Sequence, residues 1–535
     1  MTKKIWLLAV SLFLATTVFG VNLKALKSDI ATWMDGYATQ YQTLGRFNLK
    51  GINIDKRTKT FSVFANGYFG SIPFRPELVE RMNSEVAQLI ADNYPKYKVV
   101  IYADEVPISS LIPNAYRNNA VDSLRLSLTN KTPSAFITNT SKPYLAPLGL
   151  TNRNIALWHG HGWYFDQRTD RWRWQRARVF ETVEDKFTMS YVLPYLLPML
   201  ENAGANVFLP RERDTQTHEV IVDNDDSVTT SFYSEICDSH AIICRDTLGF
   251  AHKRAVYNDT QNPFKEGTCR VVQSDTVSHV TFEWIPNIPA DGDYAVSIAY
   301  KSDTASVTDA HYKVHHAGGV TEFTVNQKMG GGTWIYLGTF HFKKGVRPDF
   351  GKVSLTNQSV SGGLVVADAA RFGGGMGNML RCLADSSLLD SVKPRSTRML
   401  SCFATSECQT SGRARYLEAG RYWLQWAGAP TEVYRYSNGF NDYMDDYVSR
   451  GIWVNWLNQG SVNIPNAQGL GIPIDLALGF HSDAGCKKDT IVGTLGIYTT
   501  QLTNDDNQML FPNGQSRYAS RDLTDLVAMS IVNDM

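Results

Sequence analysis

The sequence lacks a surplus of charge of either sign, because 52 lysines and arginines are balanced by 52 aspartates and glutamates. A balanced chain has no overall field that attracts nucleic acid or an anionic membrane, so neither is expected as a partner. After its first twenty residues the chain also lacks an apolar run of the roughly 18 residues that a spanning helix needs. We therefore expect no integral membrane segment in the mature chain.

Cysteine is scarce, and no two of the seven cysteines have the two-residue spacing of a zinc knuckle. In an exported protein, near neighbours such as Cys402 and Cys408, or Cys237 and Cys244, are candidate disulfide pairs. The odd count leaves at least one thiol free. The cysteines are therefore not expected to be metal ligands.

The first twenty residues have the pattern of a cleavable secretory signal. Lys3 and Lys4 precede the apolar run IWLLAVSLFLATTVFG, and the expected cut follows Gly20. The sequence thus predicts a protein that is secreted or periplasmic.

Hydrophobic periodicity divides the mature chain into four parts. Residues 21–150 mix helical and strand patterns, which predicts a small α/β module and a linker. From 255 to 376 the period changes to two, with seven short strands separated by polar turns, which predicts an all-β sandwich. Helical periodicity returns afterwards, so residues 151–254 and 377–535 are expected to form one α/β domain that the sandwich interrupts. The predicted fold class is α/β, with a mostly parallel sheet and flanking helices, an inserted sandwich and the N-terminal module.

Two histidines and a carboxylate occupy positions typical of a metal site. The apolar strand IALW runs out into His159 and His161, Glu184 follows on a segment with helical spacing, and His481 comes after the apolar run LALGF. Open α/β sheets bind ligands at the carboxyl ends of their strands. Two imidazoles and one carboxylate leave zinc an open position, as catalytic zinc requires. His159, two residues from His161, competes with it as a ligand because alternate strand residues share a face.

Aromatic residues gather close to these histidines, including Trp163 and Tyr164. Most large aromatic side chains serve core packing, but flat faces beside a cleft also suit sugar rings. Both interpretations stay open from the sequence.

The motifs WHGHG (158–162), Glu184, VFLPRERD (207–214), a helix with Arg450, and HSDA (481–484) follow one another in the order that zinc-dependent N-acetylmuramoyl-L-alanine amidases show. The stretches GTWIYLGTFHFKKG (332–345) and GLVVADAARFGGG (363–375) resemble the golvesin C-terminal-like domain. That domain occurs in secreted bacterial proteins that are often labelled xanthan lyase.

The amidase resemblance implies zinc on His161, Glu184 and His481, and cleavage of an amide bond in peptidoglycan. It further implies substrate-binding roles for the side chains Trp163, Tyr164, Arg450 and Asp483. The catalytic glutamate of that family has no counterpart before Met535. We therefore expect a truncated second part, or Asp483 as a substitute, or a protein that is not an active amidase.

Two alternatives stay open. A polysaccharide lyase of the xanthan type needs a base, for which Tyr164 or His159 is a candidate, and a cation such as Arg168 to neutralise a uronate carboxylate. The other alternative is a glycan-binding protein without catalysis. The expected partner is peptidoglycan or another cell-surface or extracellular glycan.

Overall fold

The computed structural model describes residues 23–41, 44–118, 120–126, 135–144, 149–179, 181–225, 230–238, 241–382, 408–482, 494–500 and 509–534. The chain forms two units, residues 1–128 with 488–535, and residues 129–487. The helices are α1 (Leu23–Gln40), α2 (Pro76–Ile90), α3 (Glu184–Tyr191), α4 (Leu197–Asn202), α5 (Gly420–Trp426), α6 (Thr431–Tyr434), α7 (Asp442–Asn458) and α8 (Tyr518–Asp534). The strands are β1 (Leu49–Asp55), β2 (Thr60–Ala65), β3 (Lys98–Ala103), β4 (Val106–Pro107), β5 (Ile137–Asn139), β6 (Asn154–His159), β7 (Trp163–Asp166), β8 (Arg171–Trp174), β9 (Arg178–Val179), β10 (Thr182–Val183), β11 (Asn206–Phe208), β12 (Val220–Asp223), β13 (Phe232–Cys237), β14 (Ile243–Gly249), β15 (Gly267–Gln273), β16 (Val280–Ile285), β17 (Asn287–Ile288), β18 (Gly292–Ile298), β19 (Ala310–His316), β20 (Gly319–Val325), β21 (Ile335–Phe342), β22 (Gly345–Val346), β23 (Lys352–Thr356), β24 (Leu364–Ala367), β25 (Ala369–Phe372) and β26 (Leu476–Phe480).

The first unit is a four-stranded sheet, β1-β2-β3-β4, with α1, α2 and α8. Only the β2–β3 pair is parallel; β1–β2 and β3–β4 are antiparallel. Pro76 opens α2, where its missing N–H costs no helical hydrogen bond. Arg75 and Asp525 form an ion pair at 2.6 Å, which ties α8 to the start of α2.

The second unit contains the sandwich. Its main sheets are the six-stranded β13-β16-β23-β19-β20-β5 and the four-stranded β12-β25-β18-β21, with the three-stranded β14-β15-β24 beside them. Strand β16 shows why these residues form strands, because Val280, Phe282 and Trp284 are buried and alternate with half-buried Thr281 and Glu283. Such alternation buries one face of a strand against the core.

A small parallel sheet, β11-β6-β26, lies in the second unit, where α3 contacts β6 and α4 contacts β11. Strand β6 is central and buried, and Ile155 and Leu157 on it pack with Val192 and Leu197 of the helical segment that follows. That segment runs from α3 through a π-helical turn, Val192–Leu196, into α4. Because all three strands are parallel, their carboxyl ends meet at one edge.

The predicted α/β fold class is wrong. Most of the described strands lie in small, largely antiparallel sheets, and only β6, β11 and β26 form a wholly parallel one. The physical reason is that the sandwich sheets extend beyond the predicted insertion. They take in β5, which was assigned to the N-terminal module, and β12 to β14, which were assigned to the α/β domain.

Cys408 bonds to Cys382 rather than to Cys402, while Cys237 and Cys244 carry free thiols. The first of the two candidate disulfide pairs is therefore wrong, and the second is not formed. The predicted secretory signal, residues 1–20, lies outside the described residues. None of the helices described is long and apolar enough to cross a membrane.

Candidate metal centre

His161 follows the central strand of the parallel sheet by two residues. Gly160 makes the bend, with φ of +58°, and its N–H donates to the Phe480 carbonyl at 2.8 Å. A Cβ at Gly160 would lie 2.5 Å from Thr188 Oγ1, so only glycine fits the turn and the approach of α3. This glycine therefore brings His161 to the start of α3.

Glu184 is the first residue of α3, where the unpaired backbone N–H groups of a helix favour a carboxylate. It is buried at 8 % exposure. Its Oε1 lies 2.9 Å from His481 Nδ1, and its Oε2 accepts from Arg176 Nε at 3.2 Å. The helix start thus holds Glu184 between a histidine and an arginine.

His481 comes directly after β26, which pairs in parallel with β6 and sets Phe480 opposite His159. The His161 and His481 ring centroids are 5.0 Å apart, and the side chain of His481 is 37 % exposed. One donor atom each from His161, Glu184 and His481 lies within 4.8 Å of the others. Residues separated by some three hundred positions therefore meet at one sheet edge, with His481 towards solvent.

The donor atoms fit a metal in chemistry and in spacing. Tetrahedral zinc with bonds of about 2.0–2.1 Å sets its ligand atoms roughly 3.3 Å apart. Because the donor atoms lie within 4.8 Å of one another, any pair has to approach by at most about 1.5 Å to bind the same ion. His161 Nε2 is buried and has no hydrogen-bond partner. An unpartnered buried nitrogen calls for an explanation, and a cation is one.

Electrostatics keep two of these groups in the form that binds metal. Burial lowers the pKa of His161 to about 4, and Arg450 reinforces this effect. Burial by itself raises the pKa of Glu184, but the hydrogen bond to His481 and the nearby His161 and Arg176 outweigh it, so the pKa is lowered. A neutral imidazole and a carboxylate are the ligand forms that metals require.

A layer of buried charge orients His161. Arg450 Nη2 lies 2.9 Å from His161 Nδ1 and 2.5 Å from Asp446 Oδ2, and Asp446 is fully buried. Asp446 also accepts from the backbone N–H of Gly420 at 2.7 Å and from Gln175. Since a guanidinium only donates, His161 Nδ1 accepts from Arg450 and the proton of the neutral ring lies on Nε2. A metal on Nε2 requires the other tautomer, in which Nδ1 carries the proton and Asp446 Oδ2, 3.8 Å away, is the acceptor beside it.

Sequence reasoning missed Arg176 and Tyr443. Arg176 donates from Nη1 to the Tyr443 hydroxyl at 2.7 Å and from Nε to Glu184, so it holds that hydroxyl beside the cluster. Tyr443 lies in the first turn of α7, more than 250 residues from Glu184. No local sequence signal indicates that proximity.

The other predicted residues lie in different settings. Trp163 is half-buried, with its ring 4.9 Å from that of Trp174, and Tyr164 is 5 % exposed, with its ring 5.8 Å from that of Tyr443. Arg450 contacts His161 rather than solvent. Asp483 lies outside the described residues.

His159 is too deeply buried to act as a base on a polymer, whereas Arg168 lies at the surface. His159 is fully buried, both its ring nitrogens are without partners, and burial lowers its pKa far below the ordinary value. It is not a member of the His161 cluster found among the described residues. Arg168 is exposed and pairs with Asp166 at 3.4 Å.

Comparison with known proteins gives matches to part of the chain. Residues 247–374 match the model of the Golvesin C-terminal domain. The xanthan lyase of Bacillus sp. (strain GL1) is 36 % identical over 95 residues, which are 17 % of this chain and 10 % of that protein. The chain thus spans about a tenth of the length of this curated relative.

Solved structures that resemble part of the chain include a Paenibacillus xanthan lyase, at 24 % identity, 29 % of this chain, 13 % of that chain and a TM-score of 0.22. A family 35 carbohydrate binding module from Clostridium thermocellum is 16 % identical over 29 % of this chain and 99 % of its own, with a TM-score of 0.18. The amidase resemblance finds no support in these matches. The resemblance is confirmed for its other part, since residues 247–374 match the model of the Golvesin C-terminal domain.

Proposed function

We propose that this protein acts on an extracellular polysaccharide and that His161, Glu184 and His481 hold a divalent metal, zinc, where it acts. The polysaccharide is supported by the Golvesin C-terminal domain and by the relative named xanthan lyase. The metal is supported by the positions of the three donor groups, which lie within 4.8 Å of one another at the carboxyl edge of one sheet. An exported protein suits this substrate, since polysaccharides of this kind lie outside the cell.

Zinc bound there would neutralise a uronate carboxylate, or polarise an amide carbonyl and activate a bound water. The protein's own contribution is placement. Arg176 orients both Glu184 and the Tyr443 hydroxyl, while Arg450 and Asp446 fix the ring of His161. The half-buried Tyr443 hydroxyl is the group that would transfer a proton next to a metal held there.

The reaction we propose is β-elimination at an acidic sugar. A base takes the proton next to the carboxylate, the glycosidic C–O bond at the following carbon breaks, and the leaving oxygen takes up a proton. The product carries a C=C bond conjugated with its carboxylate. Tyr443 replaces His159 and Tyr164 as the candidate base, because His159 is fully buried and Tyr164 is only 5 % exposed, so neither can touch a polymer.

A second candidate is hydrolysis of an amide bond in peptidoglycan. The specific observation in its favour is the donor set, since two histidines and one glutamate are also the ligands of zinc peptidases. In that reaction His161, Glu184 and His481 would hold the metal, which would supply an activated water for attack on the amide carbon, and the nitrogen would leave with a proton.

The test is incubation of the zinc-loaded protein with xanthan and, separately, with peptidoglycan. Elimination predicts rising ultraviolet absorbance from the unsaturated uronate, whereas amide hydrolysis predicts new amino groups without that absorbance. His481→Ala should abolish either signal, and Tyr443→Phe should lower the elimination rate by about 100-fold or more without loss of zinc. His341→Ala, at an exposed sandwich histidine, is the matched control. Binding without cleavage of either polymer would leave a glycan-binding protein and refute both reactions.

A further inference from the structure

A cavity of about 420 Å³ lies in the second unit, and His161, Glu184 and His481 are not among its lining residues. It is lined by β11 and α4 on one side and by β21 and β25 of the sandwich on the other, with α5 and α7 completing the wall. Its volume falls in the range of about 300–1,000 Å³ that is typical of small-molecule sites. Nothing in the proposed function uses this space.

The wall is rich in tryptophan. Trp334, Trp423, Trp453 and Trp456 all line the cavity. Trp334 is only 8 % exposed, yet its indole N–H has no hydrogen-bond partner. Flat aromatic faces with a few polar groups among them bind the C–H faces of sugar rings and their hydroxyls.

Two strand edges supply further hydrogen-bonding groups. Strand β11 is the terminal strand of the parallel sheet, and β21 is the terminal strand of its four-stranded sheet. Both contribute lining residues. The outer edge of a terminal strand presents backbone N–H and C=O groups without a ladder partner, and sugar hydroxyls can pair with both kinds.

Charge favours an acidic sugar. The lining contains four basic side chains, Lys142, Arg211, Arg213 and Arg371, and two acidic ones, Glu201 and Glu212. Arg211 is fully engaged with backbone carbonyls, Arg213 pairs with Glu201 at 2.7 Å, and Arg371 is held by Glu212 and also by Glu219. Lys142 is exposed. Its Nζ donates to the Glu201 carbonyl at 3.3 Å, and because a carbonyl is a neutral acceptor this contact does not neutralise the lysine charge. Lys142 is the cation at the rim that a sugar carboxylate can approach.

We propose that this cavity binds roughly one or two residues of an acidic glycan, with the rings against the tryptophans and the carboxylate at Lys142. The choice of glycan rests on the proposed function, but the cavity is separate from the metal cluster. It would hold the polymer on the protein rather than react with it.

The test is a calorimetric titration of the full chain with two ligands. One is a disaccharide that contains glucuronic acid, and the other is the neutral disaccharide cellobiose. Trp456→Ala should weaken binding of both at least about tenfold, as removal of a central aromatic contact does. Trp456→Phe, which keeps an aromatic face, should retain most of the affinity. Lys142→Gln should reduce the preference for the acidic sugar by about two- to fivefold and leave cellobiose unaffected. Tyr436→Ala, at an exposed aromatic residue that does not line the cavity, is the matched control.

Polymer binding is measured in parallel to separate the two proposals. If the wild-type protein binds xanthan but neither disaccharide, or if Trp456→Ala binds both as tightly as the wild type while keeping its circular dichroism, the cavity inference is overturned and the proposed function stands. If neither xanthan nor any disaccharide binds, both fail. If His481→Ala loses cleavage but keeps disaccharide binding, the cavity inference is supported on its own.

Discussion

Neutralisation of Asp442 should weaken the second unit. It is fully buried at the start of α7, where its carboxylate accepts from Arg381 at 2.5 and 2.8 Å and from the Tyr422 hydroxyl at 2.6 Å. Arg421 Nη1 lies 2.5 Å from it. Asp259 is the other carboxylate in contact with these two arginines.

Asp442→Asn keeps the shape of the side chain but leaves two buried guanidinium groups facing one carboxylate. Removal of one partner from a buried ion pair costs about 3–5 kcal/mol, because the remaining charge is left desolvated. We expect the free energy of unfolding of the second unit to fall by that amount in urea titrations followed by circular dichroism. Glu322→Gln removes the exposed pair with Lys313 and should cost less than about 1 kcal/mol.

The same variant predicts a pH dependence. Burial alone raises the pKa of Asp442, but Arg381 and Arg421 outweigh it and lower the pKa below its ordinary value. A carboxyl with a lowered folded pKa contributes stability that is fully present above its unfolded pKa, about 3.9, and is lost as the pH falls through the folded value. The difference between wild type and Asp442→Asn should therefore be constant near neutral pH and shrink below about pH 4. A loss under about 1 kcal/mol at pH 7, or a difference that grows on acidification, would refute the reasoning.

Two further variants probe the turn before His161 and the disulfide. Gly160→Ala forces a side chain into a backbone with φ of +58° and towards Thr188 Oγ1, so zinc affinity should fall at least about tenfold in calorimetric titration; unchanged affinity would contradict the assigned role of the turn. Cys382→Ser opens the bond to Cys408, which spans 26 residues, and should lower stability by about 3.5 kcal/mol on the chain-entropy model. Reduction of the wild type should reproduce that loss, and equal unfolding midpoints for the reduced and oxidised protein would argue against it.

The sandwich strands were predictable because their pattern is local. The run VTFEWI alternates through Val280 to Ile285, and those are the bounds of β16. Alternation buries one side of each such strand whatever its neighbours are, so the sequence carries the signal. Strands β12 to β14 were instead assigned to the α/β part, because membership of a sheet is decided by distant pairing rather than by period.

The candidate site likewise contains residues that the sequence predicts and residues that it does not. His161, Glu184 and His481 were chosen for their places at strand ends and a helix start, and the structure brings them together. That they bind zinc stays a prediction. Tyr443 was missed because its contact with Arg176 depends on how α7 packs, which no spacing in the sequence records. Arg176 lies close to Glu184 in the chain and Asp446 is one helical turn from Arg450, so those two contacts are within reach of sequence reasoning.

The central claim is that His161, Glu184 and His481 bind a metal ion, and calorimetric titration of the metal-free protein with zinc, checked by elemental analysis, tests it most directly. The account predicts about one equivalent of tightly bound zinc in the wild type and in His341→Ala, and less than about a tenth of an equivalent in His481→Ala and Glu184→Gln. A wild-type protein that takes up no zinc, or variants that take up as much as the wild type, would contradict it.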